Sequence, residues 1–91
     1  MEDLKISDFS VGDSFELDAE GTGYTLTLTQ VEELPRAARD AGSFRLQFLG
    51  PVHPILPQAT YSMRGSRRTD DIFIVPIAAD QAGVRYEAIF A

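Results

Sequence analysis

The chain has 91 residues and a mass of 10.0 kDa, the size of one domain with a single hydrophobic core. Hydrophobic residues make up 44% of the chain and charged residues 24%, which excludes a disordered composition. The absence of cysteine excludes disulfide scaffolds, thiolate zinc sites and cysteine nucleophiles. We therefore expect residues 1–91 to form one domain, and no motif predicts a cofactor.

The first residues are acidic and precede no apolar run of signal-peptide length, so we expect a cytoplasmic protein. The longest apolar stretch, residues 72–79, has eight residues, whereas a membrane helix needs about 20. Insertion into a membrane is therefore not expected.

The net charge of −6 is unevenly distributed. Residues 1–33 carry nine acidic residues and one lysine, whereas residues 34–91 carry seven arginines and five acidic residues. An acidic chain repels phosphates, so we do not expect duplex nucleic acid as a partner. Two interpretations of the asymmetry remain open. The acidic and basic segments lie side by side and neutralise each other, or they form separate faces that meet in an oligomer or a complex.

In chain order, the pattern first predicts a short turn over residues 7–13 and a half-buried strand over residues 13–18. Two glycines predict a turn over residues 20–23, and alternating threonines and leucines predict a second strand over residues 24–31. The alternation slips by one residue near residues 29–30, which predicts a β-bulge or an end to regular pairing there.

Residues 35–42 begin with proline and end with glycine, and either a short helix or a loop fits them. Residues 43–50 alternate strictly and predict a core strand. Residues 50–58 hold three of the five prolines, which cannot donate a backbone hydrogen bond to a sheet. They predict an extended crossover around one end of the sheet.

A short strand is predicted over residues 60–64, followed by a polar turn. The unbroken apolar run over residues 71–77 predicts a strand buried on both faces, with an edge, a bulge or a strand end at Pro76. A turn over residues 78–83 leads into a final alternating strand over residues 84–90.

Six strands and at most one short helix predict an all-β fold, a single antiparallel six-stranded small barrel or sandwich. Ile89 is expected to face outward. The side chains expected in the core are Phe15, Leu17, Leu26, Leu28, Phe44, Leu46, Phe48, Tyr61, Phe73, Val75, Tyr86, Ala88 and Phe90.

Catalytic and metal-binding patterns are absent from the sequence. His53 is the single histidine and lies between prolines, with no second ligand at a recognisable spacing. The adjacent Asp70 and Asp71 point to opposite faces of a strand and do not converge on a cation. We therefore predict neither an enzyme nor a metal site.

One basic cluster is a candidate binding site. Arg64, Arg67 and Arg68 lie on or beside one polar turn, and Tyr61 precedes them. Guanidinium groups on a tight turn can clamp phosphate or carboxylate groups beside an aromatic ring. The alternative is that the arginines neutralise the acidic first third of their own chain or of a neighbour.

Six motifs span nearly the whole chain. They are Asp8-Phe9 with Val11-Gly12 and Phe15, residues 28–35, residues 44–51, residues 56–61, residues 73–77 and residues 85–90. Together they resemble a small uncharacterised bacterial domain family whose members are often encoded beside phage-tail-collar-like proteins. The resemblance implies a structural or accessory role around a tail-like or exported assembly, and it implies no catalytic residue.

Two functions are consistent with these features. The first is a non-enzymatic structural or accessory domain that acts through protein contact or self-association. Its contact surface would be an exposed edge strand, with residues 84–90 as the candidate, or complementary acidic and basic faces. The second is a small module that binds an anionic ligand or single-stranded nucleic acid at the arginine-rich turn.

Overall fold

The computed structural model describes residues 4–35 and 42–90. A 3-10 turn over Ile6–Asp8 precedes six strands. The strands are β1 (Ser14–Ala19), β2 (Thr22–Glu33), β3 (Phe44–Gly50), β4 (Ala59–Arg64), β5 (Thr69–Asp80) and β6 (Gly83–Phe90). Residues 36–41 of the predicted short helix or loop lie outside the described residues. Within the described ranges, no helix has the length and hydropathy required to cross a membrane.

The strands form a closed antiparallel barrel in the order β1-β2-β3-β6-β5-β4. The predicted all-β fold with six antiparallel strands is confirmed, and of the two predicted architectures the barrel is the one formed. The N-terminal segment and the β4–β5 turn lie at one end of the barrel, which we call the lower end. The β1–β2 turn, the β3–β4 crossover and the β5–β6 turn lie at the opposite, upper end.

The long strands β2 and β5 each change partner midway. Residues 22–27 of β2 pair with β1, and residues from Thr27 onward pair with β3, with a register shift between Leu28 and Gln30. The first half of β5 pairs with β4 and the second half with β6, with a register shift between Pro76 and Ala78. The predicted irregularities near residues 29–30 and at Pro76 are both confirmed.

The core fills the barrel with side chains from every strand. The strict alternation of β3 is confirmed, with Phe44, Leu46 and Phe48 fully buried. The buried hydrophobic residues are Phe9, Phe15, Leu17, Leu26, Leu28, Phe44, Leu46, Phe48, Leu56, Met63, Ile72, Ile74, Val84, Tyr86 and Ala88.

Two side chains from outside the strands cover the barrel ends. Phe9 covers the lower end, with its ring centroid 5.8 Å from that of Phe44 and 6.1 Å from that of Phe90. Leu56 lies in the crossover at the upper end, where its buried backbone N–H donates to the Tyr86 hydroxyl at 2.9 Å. The prediction that residues 50–58 wrap one end of the sheet is therefore confirmed.

The prediction that β5 is buried on both faces is wrong. Ile72 and Ile74 point into the barrel, where they lie opposite Tyr61 and Ala59 of β4. Phe73, expected in the core, is 50% exposed, and Val75 is only half-buried. Successive side chains of a strand point to opposite faces, so the inward isoleucines leave these two residues on the outer surface.

The remaining differences between prediction and structure concern side chains at the border of the core and the ends and edges of strands. Tyr61 and Phe90 are partly buried and pack against the core, whereas Ile89 faces outward as expected. Strand β5 continues to Asp80, beyond the predicted start of the turn. The predicted exposed edge at residues 84–90 is not found at residues 84–87, which pair with both β3 and β5, whereas residues 88–90 pair with β3 alone.

Replacement of Phe48 tests this core. Phe48 is fully buried and forms an edge-to-face contact with Phe15 at 5.6 Å between ring centroids. We expect Phe48→Ala to lower the free energy of unfolding by about 3–5 kcal/mol, because it leaves a cavity. The matched control Phe73→Ala, on the outer face, is expected to cost about 1 kcal/mol or less. Urea titration measures both values, and equal losses would contradict the assignment of faces.

Candidate functional site

The four predicted site residues lie on β4 and on the turn that follows it. Tyr61 and Arg64 belong to β4, whereas Arg67 and Arg68 belong to the turn that joins β4 to β5. The backbone N–H of Gly65 donates to the carbonyl of Arg68 at 2.9 Å and closes this turn. A Cβ at position 65 would lie 3.0 Å from the Phe15 ring, so glycine allows the turn to approach the barrel closely.

A cleft of about 240 Å³ separates this turn from the N-terminal segment. We call it the arginine-turn cleft. One wall is formed by Ser7, Asp8, Ser10 and Asp13, the other by Gly65, Ser66, Arg67 and Arg68, and Phe15 also lines the cleft. The structure therefore brings Arg67 and Arg68 together in one cleft.

Arg68 is neutralised by carboxylates on two sides. Its guanidinium makes two contacts with Asp70, at 2.9 Å through Nε and 3.0 Å through the second terminal nitrogen. It also lies 3.9 Å from the Asp8 carboxylate across the cleft. Asp8 in turn accepts a hydrogen bond from the backbone N–H of Lys5 at 2.8 Å. Arg68 therefore connects the two walls of the cleft.

Arg64 and Tyr61 lie outside the arginine-turn cleft. Arg64 forms an ion pair with Asp18 of β1 at 3.2 Å. The Tyr61 hydroxyl donates to the carbonyl of Pro57 at 2.7 Å. Burial raises the pKa of Tyr61 above its usual value, and the neighbouring Tyr86 and Glu20 add to the rise. The structure therefore brings Arg67 and Arg68 together in the cleft and places Tyr61 and Arg64 outside it.

Arg67 differs from the other arginines that the structure describes. It is exposed and, within residues 4–35 and 42–90, forms no ion pair. Its guanidinium is therefore available to an anion at the cleft. The carboxylates of Asp8 and Asp13 line the same space, so the cleft presents both signs of charge.

The sequence did not predict the wall formed by the N-terminal segment. The acids of that wall have structural contacts of their own, since Asp13 accepts a hydrogen bond from the backbone N–H of Ser10 at 3.0 Å. Each acid lies three residues after the residue whose backbone N–H donates to it, and this spacing is a local signal in the sequence. That signal predicts a turn, and it does not predict which distant turn packs against it.

The single histidine and the metal-ligand residue types also bear on the chemistry open to the cleft. His53 lies in the crossover at the other end of the barrel and is exposed. No group of three or more histidine, aspartate or glutamate residues in the described part of the chain could hold a metal ion.

A second surface feature lies on the outer side of β5 and β6. Phe73 and Ile77 of β5 are 50% and 45% exposed, and Ile89 of β6 is 56% exposed. Val75 lies between the first two and is half-buried. The register pairs Val75 with Glu87 at the end of the β5–β6 ladder, and Phe73 and Ile89 each lie two residues beyond that pair on their strands. We call Phe73, Val75, Ile77 and Ile89 the apolar face.

Charged pairs border the apolar face. Arg85 contacts Asp80 at the upper end of β5 and β6. The hydrogen bond from Arg85, followed by that from the Ala82 backbone, lowers the pKa of Asp80 below its usual value. Arg45 of β3 contacts Glu87 at 3.2 Å. The apolar side chains therefore lie within a polar border of both signs.

A family model matches most of the chain. The family model described as Domain of unknown function (DUF6916) matches residues 4–90. No curated protein and no solved structure matches the chain. The match covers the six strands and includes every residue of the arginine-turn cleft and the apolar face.

Proposed function

The chain belongs to the family described as Domain of unknown function (DUF6916), and we propose its function from the side chains that lie on the barrel surface. The protein is a non-enzymatic structural or accessory domain that acts by binding another protein. The apolar face is the contact surface. Its three most exposed side chains, Phe73, Ile77 and Ile89, are the observation that carries the proposal.

The arrangement of the apolar face supports protein contact. Single exposed hydrophobic residues are common on protein surfaces, whereas several grouped on adjacent strands and bordered by polar residues are typical of binding surfaces. Protein interfaces have an apolar centre and a polar rim. Phe73 and Ile89 supply such a centre, and the Arg45–Glu87 and Arg85–Asp80 pairs supply such a rim.

The apolar face is smaller than a complete protein interface. A stable interface buries roughly 800 Å² on each partner, with some 20–30 residues a side. The apolar face comprises four side chains that are each about half exposed, so it is the centre of a contact that must extend over neighbouring polar residues. The proposal that this contact belongs to a tail-like assembly is supported by the family resemblance alone.

One observation favours a second function, the binding of an anionic ligand at the arginine-turn cleft. Arg67 is unpaired in the described residues and lines a cleft that also presents the hydroxyls of Ser7, Ser10 and Ser66. A guanidinium with nearby hydroxyl donors can hold a phosphate or carboxylate group. The acids of the cleft weaken this attraction, and the apolar face therefore remains the first proposal.

The apolar face is tested with the double variant Phe73→Ser/Ile89→Ser. We expect its affinity for the product of the neighbouring gene to fall at least about tenfold, because the hydrophobic centre of an interface contributes most of its binding energy. The control Val11→Ser removes an apolar side chain that is 63% exposed elsewhere on the barrel, and it should bind normally. Calorimetric titration measures affinity, and thermal unfolding checks the fold. Equal binding by both variants, or a monomer that binds nothing at any salt concentration, contradicts the proposal.

The arginine-turn cleft is tested with Arg67→Ala, and with Arg64→Ala as the matched control. Arg64 lies outside the cleft and is already paired with Asp18. Titration with inorganic phosphate or a single-stranded oligonucleotide at low salt, followed by NMR amide shifts, should show binding at residues 65–68. Arg67→Ala should abolish it, whereas Arg64→Ala should retain it. An absence of shifts in the parent protein at low salt removes this second function.

A further inference from the structure

Two side chains of opposite charge line the arginine-turn cleft without an ionic partner in the described part of the chain. They are Arg67 on the wall formed by the β4–β5 turn and Asp13 on the wall formed by the N-terminal segment. Arg68 and Asp8, which also line the cleft, already lie 3.9 Å from each other. The cleft therefore offers one unpaired charge of each sign, one on each wall.

Backbone hydrogen bonds hold both walls in place. The backbone N–H of Leu28 donates to the carbonyl of Asp13 at 2.8 Å, which attaches the N-terminal wall to β2. On the opposite wall, the bond from the Gly65 N–H to the Arg68 carbonyl closes the turn that carries Arg67. A ligand therefore meets walls that are already ordered, and groups that are ordered in advance bind at a lower entropic cost.

A ligand with a single charge is attracted by one wall of the cleft and repelled by the other. An anion beside Arg67 shares the cleft with the carboxylates of Asp8 and Asp13, and a cation beside Asp13 shares it with the guanidinium groups. Like charges in one site oppose binding, whereas complementary charges favour it. A ligand that carries both a carboxylate and an ammonium group meets an opposite charge on each wall.

The size and the lining of the cleft indicate a small ligand. Pockets for drug-sized ligands commonly measure roughly 300–1,000 Å³, whereas this cleft measures about 240 Å³. The Phe15 ring, which is 8% exposed, also lines the cleft and offers an apolar surface to methylene groups. The hydroxyls of Ser7, Ser10 and Ser66 can accept from an ammonium group or donate to a carboxylate.

We propose that the arginine-turn cleft binds a small zwitterion of the amino-acid class. The ligand's carboxylate contacts Arg67, which can hold it through charge-assisted hydrogen bonds, and its ammonium group contacts Asp13. The proposal rests on the second function proposed above and replaces its simple anion with a ligand of both charges. It is independent of the apolar face, none of whose residues lines the cleft.

The first test compares ligands that carry one charge with ligands that carry two. A series of ω-amino acids from glycine to aminohexanoate varies the distance between the charged groups, and acetate and methylammonium are the matched ligands with one charge each. NMR amide shifts at residues 10–13 and 65–68, measured at low salt, report binding. We expect the best-matched amino acid to bind at least about tenfold more tightly than acetate or methylammonium, because its two contacts are linked in one molecule.

The second test uses Asp13→Asn, for which a zwitterion and a simple anion give opposite results. Asparagine keeps a side-chain oxygen that can accept from the Ser10 N–H, so only the charge is removed. We expect the variant to bind the best-matched amino acid about fivefold more weakly and to bind acetate as well as the parent protein or better. Arg67→Ala should weaken both ligands at least about tenfold. The control Asp71→Asn neutralises an exposed acid outside the cleft and should change neither affinity.

Two results of these titrations overturn the inference in different ways. If acetate binds as tightly as every amino acid and Asp13→Asn tightens both, the cleft accepts a simple anion, and the second function stands without the zwitterion. If no ligand shifts the amides of either wall, the inference and the second function are both overturned. Neither result affects the apolar face.

A double-mutant cycle tests whether Arg67 and Asp13 are free to meet a ligand. Urea titration of Arg67→Ala, Asp13→Asn and the double variant should give changes in the free energy of unfolding that add, because the structure shows no ion pair between the two side chains. Changes that do not add would mean that the two groups neutralise each other across the cleft in the free protein, which overturns the proposal.

Discussion

Closure of the barrel depends on two long strands that each pair with a different neighbour along each half and carry a register shift. Strand β2 pairs with β1 up to Thr27 and with β3 from Thr27 onward. Strand β5 pairs with β4 up to Ile74 and with β6 from Val75 onward. A bulge adds one residue to one strand, increases the local twist and bends the strand. Such bends let six short strands close on themselves and enclose one core. In β2 the extra residue is visible in the spacing of inward side chains, which changes from two to three between Leu28 and Val31.

The contrast between β2 and β5 shows which parts of the fold the sequence specifies locally. Leu26 and Leu28 are separated by threonine, so the inward face of β2 and its bulge could be predicted. In β5, positions 72–75 are all apolar, and either alternate set could face inward. The choice is made by pairing with β4, which places Ile72 opposite Tyr61. Since that pairing is not local, the sequence pattern alone assigned Phe73 to the wrong face.

The sequence predicted only those parts of the candidate sites whose residues are close together in the chain. Arg67 and Arg68 share one turn, so their proximity follows from the sequence, whereas the opposing wall comes from the other end of the chain. The arginines also show why charge counts do not identify a binding site. Arg45 and Arg64 pair with Glu32 and Asp18. The interpretation that acidic and basic segments lie side by side is therefore confirmed for these pairs, and such pairing withdraws most of the positive charge from a potential ligand.

The upper end of β4 is anchored by the crossover that precedes it. The crossover passes over the core from β3, and a Cβ at Gly50 would lie 2.6 Å from Leu26, so this position requires glycine for the chain to stay close. Leu56 then covers the barrel end and donates its backbone N–H to Tyr86 of β6.

These contacts fix the chain just before β4 begins, and β5 holds the strand itself along its whole length. Pairing with β1 above Glu16 is therefore not needed to position β4.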